Sequence, residues 1–349
     1  MSTFIQLHML TSYPPANLNR DDLGRPKTAV MGGVQRLRIS SQSLKRAWRT
    51  SALFRDALKG HMGTRTKEMG ICVRDRLTAA GIPEADAIAW AKAIAACFGK
   101  LKDNSVEIEQ LAHFSPTETA AVDALTETLI AQRQPPTDAE LAGLLQARHT
   151  AADIALFGRM LAARPAFNTE AAAQVAHAIT VHKVAVEDDF FTAVDDLNRG
   201  DEDLGAGHMG ETEFAAGLFY LYVCIDRDLL LRNLQDDEGL TRTTLRTLAE
   251  AAAKIAPTGK QNSFASRAHA SYILAEKGPQ QPRSLSVAFL KPVTGQDMLA
   301  DSIAALERTR ANMEKVYGPL SEGDPCVMDV TKPDGSLGQL LDFVAPRPA

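Results

Sequence analysis

The chain has 349 residues, more than one compact domain usually holds, so two domains or one fold with a large insertion is expected. It is 45% hydrophobic and 23% charged, and its 43 acidic against 38 basic residues give a net charge of -5, an average that argues against a nucleic-acid-binding protein. Four widely spaced cysteines without a Cys-x-x-Cys exclude a zinc knuckle and a disulfide framework, and neither a signal peptide nor a membrane span is legible, so a soluble protein of the reducing cytoplasm with no membrane partner is expected.

The average conceals a local excess. Residues 20–59 hold ten Lys and Arg (Arg20, Arg25, Lys27, Arg36, Arg38, Lys45, Arg46, Arg49, Arg55 and Lys59) against three acids (Asp21, Asp22 and Asp56). That window carries +7 and the remainder of the chain -12. Such an asymmetry marks either a solvated basic helix face or a local anion site on an acidic body.

In chain order, residues 3–11 are apolar on both alternating faces, with Phe4, Gln6, His8 and Leu10 on one and Ile5, Leu7 and Met9 on the other. This predicts a central strand. A loop rich in Pro, Asn and Gly (residues 13–33) leads to a strand at 34–39, and Ser40 or Ser41 is expected to cap a helix reaching about Leu58. Residues 61–164 read as alanine-rich helix without a strand. Spans 84–98, 117–132 and 139–161 carry apolar residues at three- and four-residue spacing, and Pro135 and Pro136 part the last two. Alternation predicts a strand within 174–186, followed by a short amphipathic helix over 188–198, a Gly- and acid-rich segment to Gly217 and a strand at 218–226. Helices at about 228–233 and 243–254, a polar loop at 257–267, strands near 271–275 and 285–290, and a helix at 297–317 complete the chain. Strands and helices in this order fit an α+β fold, a β-α-β-β-α-β core carrying insertions.

Gly205, Gly207 and Gly210 (GAGHMG) match Gly-x-Gly-x-x-Gly, but a dinucleotide site needs a strand before the glycines and a helix after them. Here acids precede and a strand-like run follows. The segment reads as a hairpin tip with Met209 as its one large apolar side chain, able to serve as a wedge between bases. Gly259 and Lys260 are followed by Gln261, and Lys254 stands where a Walker A loop needs Gly, so no NTPase site is read. His177, His182 and His208 lie near Asp188 and Asp189, yet a five-residue step along a strand puts His177 and His182 on opposite faces, which favours structural roles over a metal site. The acid pairs Asp195 and Asp196, and Asp201 and Asp203, would serve a metal-dependent nuclease only if they converged. Neither a metal nor a cofactor is expected.

The densest chemistry lies in RISSQSLKRAWR, Arg38 to Arg49. On a helix starting near Ser41, Gln42, Lys45, Arg46 and Arg49 share one side while Leu44, Ala47 and Trp48 face the core. The helix N-terminus, with hydroxyls from Ser40, Ser41 and Ser43, is itself an anion site. Cations a turn apart beside a second basic loop, Arg20 to Lys27, suit a polyanion track better than one compact phosphate.

These blocks resemble those of a known family. LNRDD (Leu18 to Asp22), RISSQSLKRA (Arg38 to Ala47), DIALFGRM (Asp153 to Met160), AHAIT with FFTAVDDL (Ala176 to Leu197) and HMGETEF with GLFY (His208 to Tyr220) are similar, in order, to the CasC family. CasC is the backbone subunit of the type I-E CRISPR Cascade complex; beyond Asp226 the similarity is weaker. The resemblance implies an RRM-like (ferredoxin-like) palm from residues 1–59 and 166–349, a helical fingers insertion at 60–165 and a thumb hairpin at 198–218. It implies no catalysis and no cofactor. The implied partners are CRISPR guide RNA, target DNA through the guide heteroduplex, further copies of the chain in a helical filament and other Cascade subunits, all in antiviral defence. Carried over by position, Arg20, Lys27, Ser40, Gln42, Lys45, Arg46 and Arg49 would bind guide phosphates and sugars, Arg159 and Met160 would face the RNA from the fingers, and Met209 would sit at the thumb tip. Pro26 in the loop before Lys27 and the acidic DEDL (Asp201 to Leu204) depart from the family pattern. The rival reading of the residues is a metal-independent RNA-processing endonuclease on a related fold, with His177, His182 or His208 as general acid or base.

Overall fold

The computed structural model describes residues 2–162, 164–193, 208–319 and 321–346. Strand β1 (Phe4–Ala16) is followed by the hairpin β2 (Thr28–Met31) and β3 (Val34–Ile39) and by helix α1 (Ser41–Arg49). The helix predicted to reach Leu58 stops at Thr50. The Ser51 hydroxyl donates to Trp48 O (2.7 Å) and accepts the Phe54 amide, so it closes α1 and caps α2 (Ala52–Ala57). The insertion expected to lack strands contains a small ribbon, β4 (Thr64–Thr66) paired with β5 (Ala112–Phe114), around α3 (Met69–Ala79) and α4 (Glu84–Ala96). Helix α5 (Pro116–Gln132) starts from a Ser115–Glu118 capping box. The helix predicted over 139–161 is instead two short pieces, α6 (Asp138–Ala142) and α7 (Ala152–Phe157). Tertiary bonds replace helical ones between them: Gln146 N donates to Glu118 (3.1 Å) and Ala152 N to His61 O (2.7 Å).

The predicted strand at 174–186 is two short ones, β6 (Ala173–Val175) and β7 (Ala178–Thr180). The amphipathic helix expected at 188–198 is, over its described part, the exposed strand β8 (Glu187–Ala193), because its backbone pairs in register with β9 (His208–Asp226), from Glu187 opposite Phe214 to Ala193 opposite His208. Aromatic and β-branched residues at 190–192 suit that strand. Helices α8 (Arg227–Asn233), α9 (Glu238–Lys254) and the single turn α10 (Gln261–Phe264) lead to β10 (Tyr272–Gly278). The strand predicted at 285–290 is a 3-10 turn over Ser286–Phe289, which buries Leu285 and Phe289. Then come α11 (Met298–Tyr317), β11 (Cys326–Asp329) and α12 (Leu337–Val344).

The chain is a mixed α/β protein on an antiparallel sheet ordered β11-β10-β1-β9-β7-β3-β2, with β6 and β8 also paired to β9. Helix α1 lies in the connection from β1 to β7, and α9 in that from β9 to β10, and both connections skip a strand. The two apolar faces of β1 are explained by cover on both sides. Ile5, Leu7 and Met9 join Leu44 and Trp48 of α1 and Leu245 and Leu248 of α9 in one cluster. Leu10 joins Tyr220, Tyr272, Phe289 and Leu306 of α11 in another. The buried polar residues of that second face are linked to one another: His8 Nδ1 lies 2.9 Å from the Tyr220 hydroxyl, and Gln6 Oε1 accepts from Tyr222 (2.8 Å) and from Arg283 N (2.9 Å). Glu276 receives both Arg283 (2.6 and 3.0 Å) and Arg310 (2.7 Å). A third cluster, within residues 69–161, forms the separate core of the inserted lobe.

Trp48 is fully buried at the meeting of α1 with α9, and its indole N–H donates to Ile255 O (3.3 Å). Trp48→Ala is expected to cost about 3–5 kcal/mol in denaturant unfolding; a loss below about 1 kcal/mol would contradict this packing.

Candidate nucleic-acid interface

Helix α1 buries Leu44, Ala47 and Trp48 and turns Gln42, Lys45 and Arg46 outward, as its spacing predicts. It is capped by Ser40, whose hydroxyl accepts the Ser43 amide (3.3 Å) while its own amide donates to Asn19 Oδ1 (2.8 Å). Asn19 thereby ties the basic loop to the helix start.

The helix stands as a ridge between two clefts. One, of about 510 Å³, lies between the loop at 18–24, α1 and the pair Thr258 and Gly259, and holds Arg20 and Arg46. The other, of about 860 Å³, lies between α1 and the inserted lobe and is lined by Gln42, Lys45, Arg46 and Arg49 on one wall and by Arg65, Lys67 and Met160 on the other. Arg46 lines both. Partial burial holds the Lys45 ammonium below its usual range, and the group sits 5.6 Å from the centre of the Phe157 ring, a cation–π contact.

Of the expected site residues, Arg20, Gln42, Lys45, Arg46, Arg49 and Met160 therefore line these two clefts. Lys27 stands apart on the β2–β3 side near Arg38, whose Nη1 lies 2.9 Å from His177 Nδ1. Partial desolvation, then the charges of Arg38 and Lys27, keep the His177 ring below its ordinary pKa.

Three of the expected site residues are also engaged within the fold. Ser40 is 7% exposed and its hydroxyl is used as the N-cap, so it sets the start of the helix. Arg49 is partly buried, with Nε donating to Asp153 (2.7 Å). Asp153 also takes His113 Nε2 (2.8 Å) and Gly63 N (2.8 Å), joining α1 to the inserted lobe. Burial opposes its charge, but those hydrogen bonds and the His113 charge hold its carboxyl below the usual range. Arg159 is 5% exposed, with Nη1 on Glu118 (2.6 Å) and the carbonyl of His113 (3.2 Å) and Nη2 on those of Gln146 (3.3 Å) and Phe167 (3.0 Å). It braces the lobe from inside. Its neighbour Met160 is 77% exposed.

Arg36, counted in the basic window, is also fully buried, donating to the carbonyls of Met31, Thr180 and Phe289. Its charge belongs to the fold, not to the track.

Met209 is 64% exposed on β9, opposite Thr192. Beside it on β8, Phe190 and Phe191 are exposed at 61% and 41%, aromatic faces that the helical reading of this segment missed. Arg65 and Lys67 were missed too, although TRTK places two cations at strand period. His182 uses both ring nitrogens locally, Nε2 accepting from Leu218 N (3.1 Å) and Nδ1 facing Lys183 O (2.9 Å). The His208 side chain, Asp195, Asp196, Asp201, Asp203, Gly205 and Gly207 lie outside the described residues, as do residues 198–207 of the expected thumb. Among the described residues, no group of three or more His, Cys, Asp or Glu could hold a metal, and no helix is long and apolar enough to cross a membrane. Chemically the ridge and its clefts can hold phosphates, while Met160, Phe190, Phe191 and Met209 offer surfaces for bases to stack on or be parted by.

The fold and this surface define an antiparallel-sheet α/β protein with a cation-lined groove between its sheet domain and an inserted helical lobe. The chain belongs to the CT1975-like protein family, which it matches over residues 5–339, and the CasC resemblance stands with it. Its structure is similar to a chain of a CRISPR RNA-guided surveillance complex, pre-nicking, with 29% identity and a TM-score of 0.82 over 98% of this chain and 99% of that one. A chain of a second CRISPR RNA-guided surveillance complex shares the fold, with 23% identity and a TM-score of 0.71 over 99% of this chain and 100% of that one. No curated protein matches the sequence.

Removing the charge of Arg159 leaves Glu118 buried and unpaired. Arg159→Met is expected to cost about 3–5 kcal/mol, and the double variant with Glu118→Gln to recover most of it, read by thermal unfolding. Equal losses in both would contradict the pairing.

Proposed function

We propose that this chain is a non-catalytic backbone subunit of a type I-E Cascade surveillance complex that binds guide RNA along α1. Copies polymerise along the RNA as a helical filament, and the guide then pairs with target DNA in antiviral defence. In this reading residues 1–59 and 166–349 are an RRM-like palm, 60–165 the fingers and 198–218 the thumb. The strand order β10-β1-β9-β7, with α1 and α9 as the two crossovers, supports the palm, because it is the split β-α-β arrangement repeated twice. The separate core of residues 69–161 supports the fingers.

The observation that carries the proposal is the ridge itself, with Arg46 exposed and Lys45 half-buried on α1 and an open cleft on each side. A closed pocket would suit one phosphate; an open ridge suits a continuous strand. Such contacts position a strand without reading it, and sequence is left to base pairing. The exposed apolar residues Met160, Phe190, Phe191 and Met209 are the candidates for parting the bases at intervals.

Binding to single-stranded RNA is expected to weaken steeply with salt. The pair Lys45→Ala and Arg46→Ala should lower affinity about equally for unrelated sequences and reduce the slope of log K against log salt by about 1–2. Salt-insensitive, base-selective binding would contradict the proposal, as would metal-independent RNA cleavage abolished by changing His177, His182 or His208.

A further inference from the structure

We infer that His113 is a ligand of the strand in the larger cleft and meets a phosphate only in its protonated form, so that binding of RNA takes up a proton. The inference rests on the reading of that cleft as an RNA site and adds to it a residue outside the basic window and outside the blocks that carry the family resemblance.

His113 lies on β5 in register with Arg65 of β4, and both residues line the larger cleft. One edge of its ring is fixed from behind. Nε2 sits 2.8 Å from Asp153 Oδ2, and a Cβ on Gly63 would come 2.8 Å from the same nitrogen, so the backbone closes over that edge. Asp153 is fully buried, its Oδ2 also accepts Arg49 Nε (2.7 Å) and its Oδ1 accepts the amides of Gly63 (2.8 Å) and Ile154 (3.1 Å). Beside the Arg49 guanidinium it is a carboxylate, which can only accept. Nε2 therefore carries the proton of the neutral ring, and Nδ1 is left with a bare lone pair. Nδ1 makes no hydrogen bond with the described residues. The His113 side chain keeps 11% exposure while that of Asp153 has none, so what is open of this pair belongs to the ring.

A lone pair repels a phosphate oxygen. A second proton, taken from solvent, turns the same atom into a donor and adds a charge, and histidine is the side chain that gains one near neutral pH. The surrounding charges decide when that happens. Arg49, Arg65 and Lys67 line the same cleft and oppose a further positive charge, as Lys45 and Arg46 do from earlier on α1. Asp153 favours it but is already shared with Arg49. Glu109, the acid on the cleft wall, is paired with Lys100 (2.8 Å). Behind the ring, Arg159 is neutralised by Glu118 (2.6 Å), and burial, then the Arg159 charge, hold His149 below its ordinary pKa. The cleft is thus short of negative charge at His113, and a phosphodiester supplies it.

The test is titration of the full chain with oligouridylate, whose bases do not titrate near neutrality, at fixed ionic strength across a pH series. It is made for wild type, His113→Gln, His113→Asn and His177→Gln, with thermal unfolding of each. Because the protonated form binds, wild-type affinity is expected to rise as pH falls from about 8 to about 6, by up to about tenfold per pH unit for one proton. His113→Gln keeps an Nε2–H donor for Asp153 but takes up no proton, so its profile is expected to be flat, as is that of His113→Asn, while His177→Gln keeps the wild-type slope. Calorimetry of the wild type in two buffers of different ionisation enthalpy should show uptake of up to about one proton per bound chain. A purely structural histidine would move the unfolding midpoint without this pH profile. Wild-type binding with neither pH dependence nor proton uptake overturns the inference while the reading of α1 survives, and so does a slope that persists in the His113 variants or is lost in His177→Gln. If wild type binds no RNA at any pH, both fall.

Discussion

A nine-residue helix can present a row of cations only if something else holds it in place, and here that is the burial of Trp48 and Leu44 against β1 and α9. Like charges a turn apart repel, and an isolated helix this short would not persist in water. The two-sided cover of β1 meets that requirement. One face packs α1, α2 and α9 while the opposite face is sealed by α11 and by the Glu276 network with His8, Arg283 and Arg310. The cations on α1 are thus carried by a core with no strand face left open beneath it.

The same logic separates two populations of arginine. Arg36 and Arg159 are buried and spend their donors on carbonyls and on Glu118, while Arg20 and Arg46 are exposed on the clefts. Arg49 stands between the populations, facing the larger cleft while its Nε is held by Asp153, so one residue couples the ridge to the inserted lobe. With the rest of the chain at -12, the positive excess of the sequence lies in the segment that carries the ridge.

Much of this was legible in the sequence where period and burial agree. The central strand, the inward and outward faces of α1, and helices α4, α5, α9 and α11 follow from residue spacing, and the ordered blocks sufficed to place the chain in its family. What was not legible depended on partners distant in the chain. Nothing around Arg159 announces Glu118, forty-one positions away, whereas the Ser40 cap of α1 was open to reading from the sequence. Segment 187–193 carries acids and aromatics at helical spacing, but pairing with β9 decides its structure and exposes Phe190 and Phe191. The run at 139–161 has helical period, yet Glu118 and His61 take amides that a continuous helix would use.

In the proposed function a guide strand lies along α1 between the two clefts. Electron microscopy of the chain co-expressed with a guide RNA tests it most directly. The expected result is a helical array in which the RNA runs past Lys45 and Arg46, with the inserted lobe on one side and Thr258 and Gly259 on the other. RNA density on the α11 face of the sheet, or single copies carrying no RNA, would contradict it.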